Sequence, residues 1–307
     1  MSDSQMRAVR FHEYGPPTNL VEETIDRPKP GPDEVLVRVE ATGVHPFDWK
    51  VRKGYFKDFM PVSLPHIPGV DLAGVVAAVG PGVEAFKPGD RVYGNGRETY
   101  AEYAISDQGA LAQMPKNLTF EQAAAVPLGV ATAWVALDAA GRESRRLLIH
   151  GGAGGVGAFA VQLALIRGAD VIATASTANV EFLHGLGVAT VIDYSQTRFE
   201  DTVSGVDAVI DTVGGEVTDR SWGVLKRGGI LVAMAGPPSE EKAAEYGVRT
   251  ASIQGRATTQ MLTQVSELIE SGRLKVELAK VFPLAEAAKA HAISESGHGR
   301  GRIVLQP

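Results

Sequence analysis

The chain of 307 residues contains no cysteine. That absence excludes disulfide staples and every thiolate metal site. It also lacks any run of lysine and arginine, and its formal net charge is -6. Nucleic acid is therefore not expected as a partner, because neutralising phosphates takes clustered cations. No apolar stretch reaches the roughly 20 residues of a membrane span, and Met1-Ser2-Asp3-Ser4-Gln5 has neither the basic region nor the apolar core of a signal peptide. These absences predict a soluble, cytoplasmic protein with no membrane partner. Internal repeats and low-complexity segments are missing too. Hydrophobic residues at 44% and charged residues at 21% match an ordinary globular chain, long enough for two domains with separate cores.

What the chain has in abundance is glycine, and one glycine-rich stretch organises the rest. Arg146-Leu147-Leu148-Ile149-His150 reads as an apolar strand, and Gly151-Gly152-Ala153-Gly154-Gly155-Val156-Gly157 follows it directly. Gly152, Gly154 and Gly157 supply G-x-G-x-x-G spacing, and the apolar run Ala158–Ile166 continues as a helix. Such glycines make a tight turn, let the backbone approach a pyrophosphate, and let the helix lie close to the strand. The helix N-terminus then offers unpaired N–H groups and about half a positive charge to an anion.

Before residue 119 the chain reads as β-rich. Residues 6–14 and 34–40 alternate as strands do, and glycines and prolines punctuate short apolar runs up to Arg91-Val92-Tyr93, as in a compact barrel-like domain. Thr119 and Gln122 have capping-box spacing, and helical stretches close at Gly141. From Leu147 strands and helices alternate: strands at 147–150, 171–174, 191–193, 208–211 and 230–233, with helices to Arg167, through Val180–Leu186 and near Ser221–Leu225. That alternation predicts a parallel sheet covered on both faces. An amphipathic helix bearing Met261, Leu262, Val265, Leu268 and Ile269, a strand around Val281, a helix over 284–296 and a last strand at 302–305 complete the chain. The expected domains are residues 1–125 with 257–307, and residues 126–256 between them.

With these motifs in order, the chain resembles the medium-chain dehydrogenase/reductase superfamily, and within it the zinc-free quinone oxidoreductase and enone reductase branch. The resemblance rests on Val35–Val39, Ala41–Lys50, Ile67–Gly74, Gly89-Asp90-Arg91-Val92, Gly151–Gly157, Val191-Ile192-Asp193-Tyr194 and Gly301–Leu305. It implies an α/β chain: a GroES-like β-barrel domain completed by the C-terminal segment, a Rossmann domain with a doubly wound parallel sheet inserted into it, an active site in the cleft and a homodimer. Zinc-containing members carry a cysteine where His45 stands, a histidine where Val70 stands and four further cysteines. One histidine beside Asp48 and Asp71 does not make a zinc set, so no metal is expected.

The cofactor that the resemblance implies is a nicotinamide dinucleotide, and charge selects NADPH. NAD-binding domains place an Asp or Glu near the end of the second strand to hold the ribose 2′-hydroxyl. Here that end reads Ala173-Thr174-Ala175-Ser176-Thr177, and Asp170 lies at the strand's opposite end. Ser176, Thr177 and Asn179 offer hydrogen bonds to a 2′-phosphate, although NADPH-using relatives often carry a lysine where Asn179 stands. The expected cofactor contacts are Gly152, Ala153, Gly154, Gly155, Val156 and Gly157 on the pyrophosphate, and Val213, Gly214, Ala235 and Gly236 in loops passing the ribose and nicotinamide. Thr132, read as a helix start before Trp134, resembles the residue near the nicotinamide ring. Tyr194 either lies against the adenosine end or packs on the sheet.

Candidates for chemistry lie in 45–55. His45 stands where the quinone reductase branch has asparagine, and either donates to a ligand or bonds to local backbone. Asp48 and Lys50 alternate with His45 only if the segment is extended; Lys50 either faces the cleft, as the similar Asp-Trp-Lys run of enone reductases implies, or is a surface lysine. Tyr55 is placed to line or cap a substrate pocket, and Arg52 reads as a structural ion-pair partner. The implied activity is hydride transfer from NADPH to a quinone or to the β-carbon of an α,β-unsaturated carbonyl. A zinc-independent alcohol or aldehyde reductase and a non-catalytic, crystallin-like or regulatory NADPH-binding protein are the alternatives.

Overall fold

The computed structural model describes residues 4–297 and 299–307. In chain order the elements begin β1 (Gln5–Arg10), β2 (Val21–Asp26), β3 (Glu34–Val44), α1 (Pro46–Arg52), β4 (Asp71–Val79), β5 (Arg91–Asn95), β6 (Tyr103–Asp107), β7 (Leu111–Gln113) and α2 (Phe120–Ala124). There follow α3 (Pro127–Ala140), β8 (Arg146–His150), α4 (Gly157–Ile166), β9 (Asp170–Ala175), α5 (Val180–Gly185), β10 (Thr190–Asp193), β11 (Val206–Asp211), α6 (Glu216–Ser221), β12 (Leu225–Ala233), α7 (Glu240–Tyr246) and β13 (Arg249–Ser252). The last are α8 (Thr259–Glu270), β14 (Leu278–Pro283), α9 (Ala287–Glu295) and β15 (Arg302–Gln306).

Two compact units result: the chain up to Leu128 with Arg256–Pro307, and Gly129–Gly255. In the first, β3 is the spine of a seven-stranded sheet ordered β14-β15-β3-β4-β5-β7, with β6 also paired to β3. Eleven residues let β3 bond β6 along Glu34–Arg38, β4 along Val35–Ala41 and β15 along Thr42–Val44, so the C-terminal strand is stitched next to the start of α1. Val44, Val51, Tyr100, Leu284, Ala290 and Ile303 share a buried cluster, which fixes α1 against the last strands.

The second unit is a six-stranded sheet ordered β10-β9-β8-β11-β12-β13, parallel throughout. This is the doubly wound α/β order in which strands on either side of the first run outward in opposite directions. Because all six strands run the same way, every strand's C-terminal loop emerges at one edge. Three details differ from the sequence reading. Strand β12 starts at Leu225, where Leu225-Lys226-Arg227-Gly228-Gly229 is too polar to read as strand. Helix α6 lies earlier than expected, at 216–221, and β13 with α7 was not expected at all. Strand β13 is a four-residue edge strand without fully buried residues, so it leaves no hydrophobic signature.

Candidate functional site

At the carboxyl edge of the parallel sheet, the turn after β8 is built as a cradle. Gly151 has φ 67°, the left-handed region that favours glycine. A Cβ on Gly157 would sit 2.1 Å from the Gly151 carbonyl oxygen, so only glycine lets α4 start this close to the strand. Among the described residues no protein carbonyl takes the amides of Gly155 and Val156, and α4 has no side-chain cap. Open N–H groups at a helix start suit an anion, so these residues fit a dinucleotide pyrophosphate.

Sequence reading passed over what holds the cradle in shape. His150, buried at 1% exposure, has Nδ1 3.2 Å from Thr174 Oγ1 and Nε2 3.0 Å from Ser221 Oγ. Ser221 gives its own proton to the Val217 carbonyl, so its oxygen accepts from His150 Nε2–H. Thr174 Oγ1 accepts from the Gly151 amide, which directs the Thr174 proton to Nδ1. The imidazole is thereby neutral, and burial pushes its pKa down to about 4. Asp211, at the end of the neighbouring β11, accepts from the amides of Val213 and Gly214 and so shapes the next loop.

The other cofactor candidates lie on the same edge. Gly214 follows β11 with φ 86°, and a Cβ there would meet Ala235 Cβ at 2.6 Å, so the loops holding Val213-Gly214 and Ala235-Gly236 touch. Ser176, Thr177 and Asn179 follow β9, with Asn179 Nδ2 donating to Ser176 Oγ at 3.1 Å. Tyr194 follows β10 and is 54% exposed, so its ring does not pack on the sheet. Thr132 is not at a helix start: α3 begins five residues earlier at Pro127, a good first helical residue whose signal was overlooked. Thr132 lies instead against Gly255, where a Cβ would come within 2.3 Å of its amide nitrogen.

The segment after His45 is helical, not extended. Pro46 opens α1, and the Asp48 carboxylate accepts the His45 amide at 2.8 Å, a capping box legible in hindsight from the proline and the acid three residues past the cap. Helical spacing separates the candidates. His45 and Asp48 are buried at 1% and 2% exposure, Lys50 is half-buried, and Tyr55 lies beyond the helix at 59%. Trp49 gathers the outer group: Tyr55 meets it edge-on at 5.9 Å, while Lys50 Nζ and Lys53 Nζ lie 5.6 and 5.4 Å from its ring centre.

Inside, a continuous polar network runs between α1 and the last strands. Arg302 Nη1 lies 2.7 Å from His45 Nδ1, which must accept because arginine only donates. His45 Nε2 lies 2.8 Å from Asp71 Oδ2, an electrostatic contact too bent to be a hydrogen bond. Asp71 accepts from Asn95 and the Leu128 amide. On the other side, Arg52 Nε donates to His291 Nδ1 at 3.2 Å, so His291 Nε2–H faces Tyr100 Oη, and Tyr100 donates to Asp48 Oδ2 at 3.2 Å. Arg52 is fully buried and pairs with Glu295, in keeping with a structural role. Burial raises the Asp48 pKa to about 6 against the pull of His45, and lowers that of His291 to about 3, helped by Arg52.

Among the described residues no group of three or more His, Asp or Glu side chains is arranged to hold a metal ion. Both ring nitrogens of His45 already face charged partners, so the donor set here does not fit zinc.

Comparison with known proteins places the chain among dehydrogenases. Residues 31–141 match the alcohol dehydrogenase GroES-like domain, and residues 186–305 match the family described as zinc-binding dehydrogenase. The NADPH-dependent alkenal/one oxidoreductase of Arabidopsis thaliana chloroplasts is 36% identical over 99% of this chain and 80% of its own length. Among solved structures, the quinone oxidoreductase from Coxiella burnetii superposes with a TM-score of 0.89 at 33% identity, covering 99% of both chains. A mycobacterial protein solved in complex with NADPH gives 0.89 at 31% identity over 98% of this chain and all of its own.

Proposed function

As a member of the quinone oxidoreductase and enone reductase branch of the medium-chain dehydrogenase/reductase superfamily, this chain is an oxidoreductase of small molecules, and we propose that it reduces quinones or the C=C bond of α,β-unsaturated carbonyls with NADPH and without zinc. The observation that carries this reading is the pairing of an open glycine cradle with a β9 end that bears no carboxylate of its own. When bound, the nicotinamide supplies a hydride.

The Gly155 and Val156 amides and the start of α4 hold the pyrophosphate, aided by the close approach at Gly152, Ala153, Gly154 and Gly157. Ser176, Thr177 and Asn179 face the 2′ end, Tyr194 offers its exposed ring to the adenine, and Val213, Gly214, Ala235, Gly236 and Thr132 serve the nicotinamide half. Lys50 is the donor for the oxygen on which negative charge develops, since among the described residues it forms no ion pair. Lys50, Tyr55 or water returns the proton to carbon. His45 and Asp48 act by position: shut away from solvent, they set the start of α1 and hence where Lys50 and Tyr55 stand.

The test is NADPH oxidation against quinones, short enals, cyclic enones and simple ketones, each with and without a chelator. Turnover of quinones or enones, unaffected by chelation, is expected. Turnover confined to ketones would favour an alcohol or aldehyde reductase, tight NADPH binding without turnover a non-catalytic protein, and loss of activity on chelation would refute zinc independence.

A further inference from the structure

Parallel pairing of β9 with β10 sets Asp193 opposite Ala175, and so brings a carboxylate to the β9 end, where the sequence shows only small neutral residues. Thr177 Oγ1 donates to Asp193 Oδ2 at 2.6 Å, and the Ser195 amide donates to Asp193 Oδ1 at 2.9 Å. Those two bonds, the Thr177 one above all, hold the Asp193 carboxyl below the ordinary range, so it is ionised at neutral pH. No lysine or arginine occurs between Arg167 and Arg198, and Arg198 is engaged by Glu200. Of the three residues facing the 2′ end, Thr177 has committed its only proton inward and Asn179 donates to Ser176, which alone keeps an uncommitted hydroxyl among the described residues.

We infer that Asp193, acting through Thr177, is the residue that limits this chain's preference for NADPH over NADH. The inference rests on the reading that the second unit binds a nicotinamide dinucleotide with its 2′ group at the β9 end, where this fold places it. The carboxylate works in two ways. It withdraws a hydrogen-bond donor from a 2′-phosphate, and it adds a like charge. A phosphate in contact with Thr177 Oγ1 would lie about 5 Å from the Asp193 carboxylate, with no proton left to bridge the two. NADH presents a neutral 2′-hydroxyl there and feels neither effect.

Replacing Asp193 by Asn removes the charge while preserving shape. The amide oxygen still accepts from Ser195, and the new N–H₂ donates to Thr177 Oγ1, releasing the threonine proton outward. Dissociation constants for NADPH, NADH and the fragments 2′,5′-ADP and 5′-AMP, measured by calorimetry at low salt, read the effect without catalysis. In Asp193→Asn, and in Asp193→Ser should the first variant misfold, NADPH and 2′,5′-ADP should bind roughly 5- to 100-fold tighter, with NADH and 5′-AMP within about twofold; the gain should shrink at high salt. Thr177→Val, which keeps the charge, should bring no gain in NADPH affinity, because the donor it removes already serves the carboxylate. An unchanged NADPH-to-NADH ratio in the Asp193 variants, or a fivefold or greater gain of NADPH affinity in Thr177→Val, overturns the inference. Failure of the wild-type chain to bind either dinucleotide refutes the underlying reading instead, and this inference with it.

Discussion

Asp48 and His291 sit two hydrogen bonds apart in one buried network, and their charges respond to acid in opposite directions. Asp48, raised from 3.8 to about 6 chiefly by burial, contributes stability that is fully present below pH 4 and lost as the pH rises through 6. His291, lowered from 6.5 to about 3 by burial and then Arg52, contributes stability that is present above pH 6.5 and lost as the pH falls towards 3. Protonating its Nδ1 would set a donor against Arg52 Nε–H. Acidifying from pH 8 to pH 5 therefore gains about 1–2 kcal/mol from Asp48 and loses about 2 kcal/mol from His291. The groups around them, His45, Asp71, Tyr100, Arg52 and Glu295, are common to every variant and cancel in a comparison. Relative to wild type, Asp48→Asn should lose about 1–2 kcal/mol more on acidification, and His291→Asn should lose about 2 kcal/mol less. Urea unfolding of the full chain at the two pH values, followed by fluorine NMR of 5-fluorotryptophan at Trp49, the one tryptophan of that unit, measures both. Shifts of the same sign in both variants, or none above about 0.5 kcal/mol, would refute the assignment of opposite charges.

Two further outcomes are expected. Lys50→Met, keeping the stem and losing the ammonium, should lower turnover on an enone about 30- to 1000-fold, the scale of one oxyanion donor, with NADPH affinity barely changed; turnover within about twofold would return Lys50 to the solvated surface. Gly157→Ala should destabilise the second unit by about 1–3 kcal/mol and weaken NADPH binding, because its Cβ meets the Gly151 carbonyl oxygen at 2.1 Å, whereas Gly154→Ala, at 3.2 Å from the same atom, should cost less. Thermal unfolding and calorimetry compare the pair, and equal effects would argue against close approach as the reason for Gly157.

The glycine turn, the alternation that follows it and the capping box at Thr119 were legible in the chain, because each is a local signal carried by neighbours within a few residues. So was the lack of cysteine, which the composition states outright. The proline and acid after His45 encode a helix equally locally, and there the extended alternative was a signal left unread rather than a signal missing. Tertiary structure decided the rest. Arg302 meets His45 across 257 positions and Arg52 meets His291 across 239, and no spacing rule reaches that far. Pattern alone likewise could not tell that His45 and Asp48 are shut in while Tyr55 is exposed. The β9 end shows the division most plainly: its neutrality is written in the sequence, but the charge it works beside arrives with Asp193 on the adjacent strand. Side-chain period and turn chemistry are properties of a segment, whereas the field at a site belongs to whichever strands the sheet sets side by side.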